Sequence, residues 1–113
     1  MRLKTMAINT PDVIDGMGID ESSNTLVLLM IDSAKWYDEY RHLKAIQKKM
    51  NSYVRFIDKK GYKANYGDKD FTGYRIELYF KYNFSSACRS FLESGRAQLK
   101  QRNIDLIYNK RRS

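Results

Sequence analysis

Six side chains with usable chemistry fall within one twenty-residue stretch of this chain: Asp32, Trp36, His42, Gln47, Lys49 and Asn51. At about 100° per residue, a helix through them sets His42 and Lys49 on one border of its apolar stripe and Gln47 and Asn51 on the other. Asp32 ends an apolar run just before Trp36, where a strand would hand over to that helix. A histidine beside an aspartate can act as a general base, because its ordinary pKa lies near neutrality. The same residue types also serve as structural hydrogen-bonders between a helix border and neighbouring strands. The chain holds one His and one Cys and no cluster of carboxylates at ligand spacing, so no metal and no cofactor is expected. Cys88 falls on an apolar helical stripe, which predicts a buried, inert thiol. No catalytic residue is assigned.

The elements that must position these residues read clearly. Val13 onward gives a first strand weakened by Gly16 and Gly18, which mark a bulge or a close approach of another backbone. A polar turn, ESSN, leads to the aliphatic strand Thr25–Ile31. A long helix follows from Trp36 or Asp38 to Lys60, with Tyr40, Leu43, Ile46, Met50, Tyr53, Val54 and Ile57 as its buried stripe and Gly61 as its C-terminal cap. A polar connection follows, with room for a short strand near Tyr62–Tyr66. Residues 73–83 alternate as a strand: Tyr74, Ile76, Leu78, Phe80 and Tyr82 face one way, Arg75, Glu77, Tyr79 and Lys81 the other. A second helix starts at Ser85 or Ser86 and buries Cys88, Phe91, Leu92, Gly95 and Leu99. Ile104 to Tyr108 makes the last strand. The order ββαβαβ predicts an α+β fold, a mixed sheet of about four strands with two helices packed on one face.

At 113 residues the chain supports one domain, 12–109, with a flexible N-terminal arm at 1–11 and a basic tail at 110–113. No apolar run approaches the ~20 residues that span a bilayer, and the opening residues lack the apolar core of a secretory signal. One unpaired cysteine fits a reducing compartment, so a cytoplasmic protein with no membrane partner is expected. The net charge of +8 is uneven: residues 1–37 carry three Lys/Arg against five Asp/Glu, residues 38–113 eighteen against eight. That asymmetry fits a polyanionic partner, nucleic acid or an acidic protein, as well as a solvated surface.

The open side of the sheet, with Arg75, Tyr79 and Lys81, is the candidate binding face. Residues 73–79 are only faintly similar to the strand of RNA-recognition sheets: Thr72 replaces the leading basic residue, Ile76 an aromatic one, and Glu77 repels phosphate. Nine Tyr, five Phe and one Trp add ring surface of the kind that populates protein interfaces.

Val13-Ile14-Asp15 with Gly18, then Asp32, Trp36, His42-Leu43, Gln47, Lys49, Asn51, Tyr53 and Phe56-Ile57, followed by Ile76, Leu78 and Phe91-Leu92, resembles a family of small bacterial proteins of unknown function. The resemblance spans roughly residues 13–108 and implies a single bacterial domain with no established activity. The reading that follows is a non-enzymatic module that binds another protein, or a second copy of itself, through the open sheet face or an edge strand. Sequence-independent binding of nucleic acid through the basic second half is the alternative.

Overall fold

The computed structural model describes Ile8 and residues 13–110, the last by its backbone. The expected arm, apart from Ile8, and the tail beyond residue 110 lie outside the described residues. Ile8 itself is buried in the core. Residues β1 (Gly16–Asp20) and β2 (Thr25–Asp32) form an antiparallel hairpin. Asp20 shapes its turn by accepting from the Ser22 amide at 3.2 Å and hydroxyl at 2.7 Å, and Asn24 takes the left-handed φ of 50° that asparagine tolerates. The pairing runs without interruption from Gly16↔Leu29 to Asp20↔Thr25, so neither glycine marks a bulge.

Strands β3 (Gly73–Phe80) and β4 (Ile104–Lys110) follow in parallel, giving the mixed order β1-β2-β3-β4. Both parallel steps advance across the sheet in one direction. Crossovers of a single hand therefore bring α1 (Glu39–Asp58) and α3 (Ser86–Lys100) into one layer. The core shows it: Leu26, Leu28 and Met30 align with Tyr74, Ile76 and Leu78, and Tyr74 and Ile76 in turn with Ile104 and Leu106, under Ile46, Met50, Tyr53 and Ile57 of α1 and Cys88, Leu92 and Leu99 of α3. The α+β architecture read from the sequence is the one observed.

Asp38 caps α1 by accepting from the Arg41 amide at 3.1 Å, and Ser85 caps α3 by accepting from the Cys88 amide at 3.1 Å. The buried positions of α1 are His42, Ile46, Lys49, Met50, Tyr53 and Ile57. This stripe is rotated toward the His42/Lys49 border, and Tyr40, expected inside, is 68% exposed. Gly61 is also not the left-handed cap. Lys60 takes φ of 55°, while the Gly61 amide reaches back to the Phe56 carbonyl at 2.9 Å, closing a Schellman turn. Gly61 is needed for another reason: a Cβ there would sit 2.6 Å from the Phe56 ring.

The short strand expected near Tyr62–Tyr66 is a single helical turn, α2 (Lys63–Tyr66). Helical spacing brings Tyr62 and Tyr66 close enough that both rings meet Phe71, at 5.3 and 6.0 Å, which two extended residues four apart would not reach. Strand β3 stops at Phe80 rather than Asn83, and β4 continues to Lys110, the first residue of the expected tail.

Candidate functional site

Of the six polar residues singled out above, three converge. Asp32 closes β2, and its buried carboxylate accepts from His42 Nε2 and, through Oδ1, from the Ala34 amide at 3.1 Å. The Asp32 carbonyl accepts from the Lys81 amide at 2.9 Å, tying this corner to the end of β3. Trp36 lies flat on His42, ring centroids 3.6 Å apart and planes 8° from parallel, and its ring centroid is 6.2 Å from that of Phe80, tilted by 35°. Trp36 Nε1 is buried and has no hydrogen-bond partner among the described residues. Oriented by a carboxylate, His42 has the relationship found in catalytic pairs. Cys88 does not offer it a ready nucleophile. Burial, with the charges of Asp32 and Glu39, pushes the Cys88 thiol up to about 12, so it stays protonated at neutral pH. No group of His, Cys, Asp and Glu among the described residues could hold a metal ion.

Lys49 goes elsewhere. Its side chain is 0% exposed and its Nζ lies 3.0 Å from Asp15 Oδ1. Asp15 Oδ2 accepts from the Ile31 amide at 2.8 Å, so a side chain takes the hydrogen bond that another residue of β1 would have made. For that reason β1 starts at Gly16 and not at Val13. Tyr53 completes the cluster, its hydroxyl donating to the Leu29 carbonyl at 2.7 Å and accepting from the Asp15 amide at 2.9 Å. Burial holds the phenol above its ordinary range, which keeps this donor protonated. Asp15 and Tyr53 are the members that sequence reasoning missed. The signal for them was Lys49: a lysine beside an apolar stripe needs an anion if it is buried, and Asp15 stands next to the hairpin that α1 covers.

Gln47 and Asn51 meet neither cluster. They are exposed on the outer side of α1, in line with Arg41, Lys44, Lys48, Arg55 and Lys59, all exposed. At 1.5 Å per residue, this basic row extends about 27 Å.

The reverse face of the sheet has a different chemistry. Register sets Gly18, Val27, Arg75 and Asp105 in one row, and Gly16, Leu29, Glu77 and Ile107 in the next, followed by Ile31, Tyr79 and Asn109. Down its centre, Arg75 reaches Asp20 at 3.0 Å and Glu77 at 3.4 Å, and Tyr79 donates to Glu77 at 2.8 Å. These bonds raise the Arg75 and Tyr79 pKa, and Asp20 is held down first by Ser22 and then by Arg75. On one side of this satisfied ridge lie Val27, Leu29 and Ile31; on the other lies Ile107, 39% exposed. Beyond Val27, a Cβ built on Gly18 would meet nothing within 4 Å. Lys81, expected on this face, is exposed one residue past β3, with its Nζ near the Tyr82 ring.

Helix layer, mixed sheet and two buried polar clusters together define a small α+β domain whose marked residues mostly hold its own elements in place. The chain belongs to a family of unknown function, DUF6572, whose model matches residues 6–112. It matches no curated protein and no solved structure. Asp15, Asp32, Trp36, His42, Lys49 and Tyr53, the six residues of the two clusters, are among those that carry the family resemblance, whereas Gln47 and Asn51, also among them, lie outside both clusters. No helix among the described residues is long and apolar enough to cross a membrane.

Proposed function

We propose that this protein is a non-enzymatic interaction module that docks another protein on the reverse face of its sheet. One observation carries this reading. Val27, Leu29 and Ile31 form a half-buried aliphatic strip beside a polar ridge whose charges already satisfy one another. The strip is bordered at Gly18 by a place where a Cβ would meet nothing within 4 Å, while the Leu29 side chain covers Gly16. Ridge side chains already held by one another lose little freedom on docking, and the open place at Gly18 lets a partner backbone approach closely. Asp20, Glu77 and Asp105 against Arg75 make this face acidic, which opposes a nucleic-acid partner here. The buried Asp32–His42 and Asp15–Lys49 pairs serve as the internal framework.

A photo-crosslinking side chain placed at position 79, and separately at position 48, tests the reading in lysate. Capture of a discrete protein at 79 but not at 48, abolished by Leu29→Lys, is the expected result. A product of twice the chain mass would make the partner a second copy. Equal capture at both positions, or none at 79, overturns the proposal.

The row Arg41, Lys44, Gln47, Lys48, Asn51, Arg55 and Lys59 favours a second reading, nucleic acid along α1. Lys and Arg would neutralise phosphates while the two amides contact the backbone or base edges. Its test is salt: affinity for duplex or single strands should fall by close to one power of salt for each phosphate contacted. Affinity that is absent at low salt, or insensitive to salt, rules it out.

A further inference from the structure

Strands β2 and β3 run parallel and finish together, with Asp32 opposite Phe80. Each then hands over to a helix, so the residues that follow both strands share one end of the domain. Lys35 and Lys81 are exposed there. Both bring their ammonium groups to the half-buried Tyr82 ring, at 6.0 and 5.6 Å from its centroid. Among the described residues neither lysine forms an ion pair. Two like charges beside one ring repel each other, a cost that a shared anion removes.

The same end carries the two most exposed large apolar side chains of the described residues, Tyr37 at 87% and Tyr40 at 68%. Tyr37 follows Lys35 by two positions. Tyr40 stands in the first turn of α1, with Lys44 Nζ 5.3 Å from the centre of its ring. Neither ring belongs to the core, so each leaves a flat apolar face and a polar tip to a partner. Two acids stand nearby. Asp38 is engaged, capping α1 and pairing with Arg41 at 3.5 Å. Glu39 sits about 100° round the helix from Tyr40, where its charge acts on Cys88. Cations and rings therefore intermingle across this end: Lys81, Tyr82, Lys35, Tyr37, Tyr40 and Lys44.

We infer that this end of the domain binds single-stranded nucleic acid, its bases stacking on Tyr37 and Tyr40 and its phosphates meeting Lys35 and Lys81. A single strand presents charge and ring in alternation, and its unpaired bases offer the faces on which exposed aromatics stack. In a duplex those faces are stacked on one another, so the tyrosines have nothing to meet. An acidic peptide matches the lysines and leaves the tyrosines without a partner. The site is separate from the Val27–Leu29–Ile31 strip. It draws on neither Lys48 nor Arg55, the middle and far part of the α1 row.

Fluorescence anisotropy with labelled oligo-dT and oligo-U of about twelve nucleotides, at 50 mM and 200 mM salt, tests the assignment. Binding of either strand, tighter than that of a hairpin duplex or an oligo-glutamate of matched charge and weakening with salt, supports it; the tighter of the two names the preferred sugar. Tyr37→Ala and Tyr40→Ala, both at exposed positions, should each weaken binding about fivefold or more, and Tyr37→Trp should preserve it. Lys35→Gln with Lys81→Gln should cost about tenfold. The charge-matched pair Lys48→Gln with Arg55→Gln should cost about twofold or less. No binding at 50 mM salt, a duplex or oligo-glutamate bound as tightly as the strands, or tyrosine variants that bind like the native chain overturns the inference. Loss at Lys48 and Arg55 but not at the tyrosines also overturns it, and leaves nucleic acid along α1 as the site. Leu29→Lys should leave the affinity unchanged, and none of these results bears on the reverse face.

Discussion

Lys49 Nζ lies 3.0 Å from Asp15 Oδ1 in a place where the lysine has no exposed surface. Removing one partner of a buried pair leaves an uncompensated charge, at a cost of about 3–5 kcal/mol. Asp15→Ala is expected to fall in that range, since it also frees the Ile31 amide. Replacing both, Asp15→Ala with Lys49→Met, should recover part of the loss, because no buried charge is left without its counter-ion. Urea denaturation of the two single variants and the double variant measures the coupling. Strictly additive losses would show that the two side chains do not act as a pair.

What could be read from the sequence and what could not follow from chain distance and side-chain ambiguity. Asp32, Trp36 and His42 lie within eleven positions spanning one strand end and one helix start, so local geometry alone suggested their meeting. Asp15 and Lys49 are separated by 34 positions, and only the tertiary crossing of α1 over the hairpin brings them together. Tyr53 read as an apolar core residue because its ring is core; its hydroxyl acts on Leu29 and Asp15, which no periodicity displays. Gln47 and Asn51 shared a helix border with one another, as expected, but that border faces outward once the buried stripe turns toward His42 and Lys49. The strand order was not legible, because crossover handedness does not fix the direction in which successive strands advance across the sheet, and the one-turn helix α2 depends on rings meeting at Phe71.

The Trp36–His42 stack makes its own forecast. Trp36 is the only tryptophan, and its Nε1 is buried without a partner among the described residues. An unsatisfied buried N–H costs about 1–3 kcal/mol, so deleting it offsets part of the lost ring area. Trp36→Phe should therefore destabilise by about 1 kcal/mol or less, far below the cost of Trp36→Ala, about 3 kcal/mol. His42→Ala removes the stacked ring and strands the Asp32 carboxylate, and it should shift the tryptophan emission to longer wavelength as the indole gains water. Thermal melts and emission spectra check both. A Trp36→Phe loss as large as that of Trp36→Ala would mean that the indole N–H is in fact satisfied.

At the end of α1 the left-handed residue is Lys60, and Gly61 sits against Phe56. A side chain other than glycine in that region pays a steric penalty of roughly 1 kcal/mol. Lys60→Gly should stabilise the protein by up to about 1 kcal/mol, less the extra freedom it gives the unfolded chain. Gly61→Ala should do the opposite, since its methyl would press on the Phe56 ring and force a repacking worth about 1–3 kcal/mol. Opposite signs at adjacent positions are the diagnostic. If both substitutions destabilise equally, the turn tolerates neither change and the assignment of the left-handed residue is wrong.

Cys88 gives a prediction in pH. Its thiol is fully buried beneath α3, and burial, with Asp32 and Glu39 nearby, moves it from an ordinary value of 9.0 up to about 12. A thiol whose folded pKa exceeds its unfolded one favours the folded state fully below the unfolded value, and that contribution is lost as pH rises toward the folded one. Stability should thus decline between about pH 9 and pH 12 in the native chain, and Cys88→Ala should flatten that part of the curve while lowering stability at neutral pH through the cavity it leaves. Because the thiolate is the reactive form, iodoacetamide at pH 8 should label the native protein only as fast as it opens, and urea should accelerate labelling in step with unfolding. Rapid labelling without denaturant would show an accessible thiol and would reopen Cys88 as a partner for the Asp32–His42 pair.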